Sequence, residues 1–206
     1  MTDLAKQRLR MAMSALSDAV PYDFRRLPLG WTGVREWEAE HSLELPEPYR
    51  TFVAEISNGT REGPSSPHGL LPLGQLPESW QRWEAECWPS PEPFDGTAPR
   101  KPALPFPLKE EWQWEYDYYD HDQHSPLLHG VYRHGSILLG GNRGCEFWIL
   151  VVTGPQRGRV WWLGDGCAAP YADAGEEAEP EADFVSWLQD RQADRGWWSQ
   201  DLQDLD

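Results

Sequence analysis

The stretch GSILLGGNRGCEFWILVVTGPQRGRVWWLGDG, residues 135–166, constrains this chain more than any other. A strand from Ser136 to Leu139 is followed by the Gly-rich turn Gly140-Gly141-Asn142-Arg143-Gly144. A second strand runs from Phe147 to Val152, and after TGPQRG a third returns from Val160 to Leu163. Connections this short force antiparallel neighbours. The middle strand is apolar at consecutive positions instead of alternate ones, so both of its faces are expected to be buried.

The rest of the chain supplies helices for such a sheet. Residues 3–19 place Leu4, Leu9, Met13 and Leu16 at helical spacing after Asp3. Thr32 is expected to cap a second helix in which Val34, Trp37 and His41 share a face. In SLELPEPYRTFVAEISNGT, residues 42–60, Pro48 suits a first helical turn and Glu47 favours the positive end of the helix dipole. Tyr49, Phe52, Val53 and Ile56 repeat at i, i+3, i+4 and i+7, one apolar stripe. Asn58-Gly59 is expected to supply the left-handed conformation that ends this helix. HGLLPLGQL reads as a short strand, PESWQRWEAECW as another short helix, and Phe184, Trp187 and Leu188 mark a final one. Between Pro89 and Pro107 the prolines are too frequent for a regular element, which predicts an extended surface insertion. Period-2 alternation of Trp112, Trp114, Tyr116 and Tyr118 predicts a strand or extended arm.

Taken in order, these elements predict one α+β domain, a mainly antiparallel sheet with helices packed against it. Thirteen tryptophans supply large buried areas for its core. The expected organisation is an N-terminal helical arm at 1–30, the domain at 31–190 with a Pro-rich and acidic-aromatic insertion at about 89–124, and an acidic tail at 191–206. The net charge is -16, and residues 166–206 alone hold eleven acidic and two basic side chains. Such a balance disfavours a nucleic-acid partner, whose phosphates need Lys and Arg, and favours a basic protein. Cys87, Cys145 and Cys167 are far apart and odd in number, which fits a reducing cytoplasm better than a disulfide framework. Neither a signal peptide nor a membrane span is expected.

The motifs WEAEHSLELPEPYRTFVAEISNG, GLLPL, LLGGNRGCEFWIL, GRVWWL and DFVSWLQ occur in an order, over about residues 31–190, that resembles the SUKH superfamily. That superfamily contains bacterial immunity proteins against polymorphic toxins and a yeast cell-wall-synthesis regulator. The family turn commonly continues Gly-Gly with Asp, whereas Asn142, Arg143 and Gly144 follow here. The resemblance implies a SUKH-like fold and a cytoplasmic, bacterial, non-enzymatic immunity protein that neutralises a toxin by direct association. No cofactor is expected. The alternative is an intracellular scaffold or regulatory binding protein for an endogenous partner.

Two constellations compete for chemistry. Asp117, Asp120, His121, Asp122 and His124 lie within eight residues, so a divalent metal or acid–base role is conceivable, against the simpler reading of a solvated acidic loop. The other is a partner-binding surface formed by Glu110, Glu111, Trp112, Trp114, Tyr116, Asp117, Tyr118, Tyr119 and Asp120. There aromatic anchors and steering carboxylates suit protein recognition, while the same alternation equally suits a half-buried strand. GPSSPHG lacks a nucleophile elbow, and GGNRG lacks a phosphate-loop Lys.

Overall fold

The structure, a computed structural model, describes residues 2–61, 69–77, 100–113, 121–141, 146–164, 167–171 and 183–193. Its centre is a five-stranded antiparallel sheet built from β1 (Trp112–Gln113), β2 (Ser136–Gly141), β3 (Phe147–Val151), β4 (Val160–Leu163) and β5 (Cys167–Pro170). The strands lie in the order β1-β5-β4-β3-β2. The expected three-stranded meander is present, and β5 and β1 extend it on the β4 side. β1 falls where the alternation at Trp112 predicts a strand or extended arm, whereas β5 was not expected, because CAAP is short and ends in proline. Gly140 and Gly141 belong to β2, opposite Trp148 and Phe147, so pairing continues into the stretch read as a turn, past an irregularity between Leu138 and Gly140. A Cβ at Gly141 would not clear the Phe147 ring.

Every residue of β3 is buried. Its side chains alternate between two hydrophobic clusters, Trp148 and Leu150 on one face and Phe147, Ile149 and Val151 on the other. The sheet is thus covered on both sides.

The first face carries α1 (Asp3–Ala19), α2 (Gly30–His41), α3 (Tyr49–Glu55) and the C-terminal helix Phe184–Gln192. Leu16, Ala19 and Val20 tie α1 to this core. Phe184 stands edge-on to Tyr49 and Phe52, with ring centroids 5.0 and 5.4 Å apart, while Trp187 packs on Trp148. Burial without a charged partner pushes the Tyr49 phenol well above its ordinary pKa. Asp183 caps the last helix by accepting from the Ser186 N–H at 2.9 Å.

The 42–60 stretch forms its helix, with one correction at its finish. At the start, the Glu47 carboxylate accepts from both the Thr51 N–H and hydroxyl. At the finish, the helix stops at Ile56, so Asn58-Gly59 does not terminate it. Asn58 Oδ1 instead accepts from the Leu73 N–H at 2.9 Å. Gly59, at φ 84°, lies so close to the 70–72 backbone that a Cβ would meet Pro72 N at 2.7 Å. The pair therefore docks the next segment. Likewise Thr32 lies inside α2, which begins at Gly30 with no side-chain cap.

GLLPL is not a strand. It is extended, and the Leu71 N–H donates to the Leu139 C=O at 2.8 Å beside β2. Pro72 has no N–H to continue such a ladder. PESWQRWEAECW lies outside the described residues.

On the second face sits the helix His121–Arg133, numbered α4 here so that the C-terminal helix is α5. Leu128, Val131 and Tyr132 bury against β2, β3 and β4. The end of the Pro-rich segment corrects the surface expectation, since Phe106 and Leu108 are buried in this same cluster. The segment is irregular as expected, but pinned: the Phe106 N–H donates to the Thr153 C=O and the Lys101 N–H to the Arg133 C=O.

Candidate functional site

The acidic-aromatic segment enters the fold through β1. Trp112 is opposite Ala168 of β5 and packs, half-buried, against the second core. Glu110, Glu111 and Gln113 are exposed, and Gln113 Nε2 donates to Glu111 Oε1 at 2.8 Å. At Trp112, then, the alternation separates an inward ring from outward carboxylates. Trp114, Tyr116, Asp117, Tyr118, Tyr119 and Asp120 lie outside the described residues. His121, Asp122 and His124 fall in the first turns of α4 rather than in a loop. Among the described residues, no group of three or more His, Cys, Asp or Glu is placed to hold a metal ion.

A charged knot joins α2, α3 and the turn between β3 and β4. Glu38 of α2, only 7% exposed, accepts from the Leu45 N–H and, through both oxygens, from Arg50 at 2.8 and 2.9 Å. A two-pronged pair of this kind fixes direction as well as distance. It sets α3 against α2, and the bond to Glu38 raises the Arg50 pKa still further. Arg50 also lies over the Trp31 ring at 5.5 Å, and Trp31 donates to Glu55. Arg157, from the β3–β4 turn, donates to the Glu44 and Leu45 carbonyls at 3.1 Å. These contacts position the fold.

A cleft of about 200 Å³ opens along the outer edge of β2. One wall is α2, where the Trp37 and His41 rings stack at 4.0 Å. The Trp37 carbonyl can only accept, so His41 Nδ1, 2.8 Å away, carries the proton and donates to it. The opposite rim is the 74–76 turn, where Gly74 at φ 75° leaves no room for a Cβ under Trp37 Nε1. Arg100 and Pro102 close one end.

Arg100 joins the second layer to the sheet edge. Its Nη1 donates to the Tyr132 C=O, and Nη2 donates to the Ser136 hydroxyl at 2.7 Å and carbonyl at 3.1 Å. Burial pulls its pKa down to about 10, so it stays cationic at neutral pH. The shared face of Trp37 and His41 was legible as helical spacing. Arg100 carried no such signal, because its role arises from contacts more than thirty residues away in sequence.

No helix among the described residues is long and apolar enough to cross a membrane. Neither the curated proteins nor the solved structures gave a match to this chain. The model of the SMI1 / KNR4 family (SUKH-1), by contrast, matches residues 33–190. That span runs from α2 to α5 and takes in the whole sheet, the charged knot and the cleft. The chain therefore belongs to the SMI1/KNR4 family (SUKH-1), a membership that supports an immunity or regulatory role in general terms.

Proposed function

We propose that this protein is an immunity protein that acts by association rather than catalysis, binding and neutralising a polymorphic toxin with a basic surface in the bacterial cytoplasm. The family match over residues 33–190 carries the reading, since proteins of this family generally bind protein partners. Charge selects the kind of partner. At a net charge of -16 the chain attracts a cationic protein and repels nucleic acid.

The mechanism is occlusion of the toxin's working surface. Carboxylates such as Glu110 and Glu111, exposed beside β1, steer the approach, and aromatic anchors of the 110–120 segment slow dissociation. Co-expression with candidate toxins taken from the neighbouring genes tests the proposal. Growth is restored and the two proteins copurify, with an association rate that falls as salt rises. Unrelieved toxicity together with no complex would remove the toxin reading in favour of an endogenous partner.

A further inference from the structure

The helix α1 lies outside the span that matches the family, yet Leu16 and Ala19 tie its inner face into the first core. Its outward face is left over. Leu4 and Met11, two turns apart, are 60% and 66% exposed, and Arg8 stands between them on the same stripe. Lys6 and Arg10 flank that stripe and are exposed as well. Among the described residues Arg8 and Arg10 form no ion pair, and Lys6 has only a solvent-exposed one with Asp3 at 3.7 Å. Residues 1–30 hold five Lys and Arg against three Asp, in a chain whose net charge is -16. Such a face favours an acidic occupant that brings apolar side chains.

The chain carries a segment of that composition close by. α5 packs beside α1 and ends at Gln192, and Ala193 after it is exposed. Residues 194–206, which lie outside the described residues, read DRGWWSQDLQDLD. In that sequence Trp198, Leu202 and Leu205 recur at i, i+4 and i+7, the same spacing as Leu4, Arg8 and Met11, and four Asp outnumber one Arg. Thirteen residues reach about 45 Å when extended, against about 25 Å for the whole of α1, so the reach suffices from either end of the helix. A tether of this length also holds the segment at an effective concentration in the millimolar range, so contacts too weak for a separate partner are enough. The other acidic and aromatic stretch, residues 110–120, enters the fold on the opposite face of the sheet through Trp112.

We propose that residues 197–206 dock on the outward face of α1, laying Trp198, Leu202 and Leu205 against Leu4 and Met11 and setting Asp201 and Asp204 beside Lys6, Arg8 and Arg10. The tail then covers the basic arm and gives it the sign of the rest of the surface. Any acidic partner of that face has to displace the tail first. The proposal is independent of the toxin-binding reading, because both the face and its occupant belong to this chain.

Carbon-13 methyl spectra of the full chain, which has three methionines, test it directly. The nearby indole rings are expected to displace the Met11 methyl signal from the position of a solvent-exposed methionine. That displacement should be lost in Leu202→Ser with Leu205→Ser, and lost again in Arg8→Glu with Arg10→Glu, while the signal of Met13, packed against the core, stays in place. Adding Asp201→Arg and Asp204→Arg to the Arg8 and Arg10 pair should restore it, since a direct contact survives an exchange of charges. Rising salt should shrink it. A Met11 signal at the exposed position in the unaltered chain overturns the proposal, as does a displaced signal that ignores the tail variants or is not restored by the exchange. Displacement that grows with protein concentration assigns the face to the tail of a second copy and overturns it. Displacement that appears only with vesicles containing anionic phosphatidylserine assigns the face to a lipid surface, with the same consequence.

Discussion

Among the described residues, one face of the sheet is covered by four α-helices and the other by a single helix and an irregular proline-rich strap, yet both covers bury aromatic side chains to the same depth. Phe52 on the first face is 0% exposed and Phe106 on the second is 2% exposed. On the helical side, the apolar stripe of α3 delivers Tyr49, Phe52 and Val53 together. On the strap side, Phe106 is delivered by backbone bonds to the β3–β4 turn and by the Arg100 anchor at Ser136. Regular hydrogen bonding is thus not required for dense packing. What is required is that each backbone polar group of the cover finds a partner.

If the two covers are equivalent, truncating either aromatic should cost the same. Phe52→Ala and Phe106→Ala should each lose about 3–5 kcal/mol in urea unfolding, the range for large buried aromatics. A much smaller loss for Phe106 would show that the strap yields and the helical layer does not. Next in size is the charged knot of the helical face. Glu38→Ala removes the acceptor for Leu45 and Arg50 and should cost about 2–3 kcal/mol, since bonds to charged groups are the stronger ones. Arg50 retains some exposure, which keeps the loss below that of a fully buried pair.

Asn58→Ala should cost about 1 kcal/mol by leaving the Leu73 N–H without its acceptor. Asp183→Ala, which removes the α5 cap, should fall in the same range of about 1 kcal/mol. Thermal melts that leave the Asn58 variant unchanged would mean that Gly59, Thr60 and the Leu139 carbonyl hold the 70–73 segment without it.

The smallest effect is one of pH and belongs to the strap side. Burial, and then the charges of Lys101, Arg133 and Arg100, hold the His134 imidazole below its ordinary pKa. The unfolded chain therefore takes up this proton at higher pH than the folded one. Stability from this group is intact above about pH 6.5 and declines as pH falls from there through the lower folded value. His134→Gln should flatten that part of the stability profile, and an unchanged slope between the two would assign it to other groups.

The helical face was readable because its information is local. Val34, Trp37 and His41, or Tyr49, Phe52 and Val53, declare their face by spacing alone, whatever lies opposite. α4 carried the same kind of signal in Leu127, Leu128, Val131 and Tyr132, hidden behind an acidic run that reads as extended. Of the candidate surface, the exposed charge of Glu110 and Glu111 was legible, and so was an alternation that left the direction of Trp112 open. Its direction depends on Ala168, a neighbour supplied by β5.

By itself, the sequence determined the antiparallel meander, the burial of both faces of β3, the helix of the 42–60 stretch and the acidic character of the chain. Each follows from the period of apolar residues or from a sum of charges, and neither quantity needs coordinates. Only the tertiary structure decided that Asn58-Gly59 docks a segment instead of ending a helix, that the end of the proline-rich strap is core, and that Arg100 caps Ser136. Those outcomes depend on which distant backbone groups are left without partners once the sheet has formed, and no local pattern encodes that remainder.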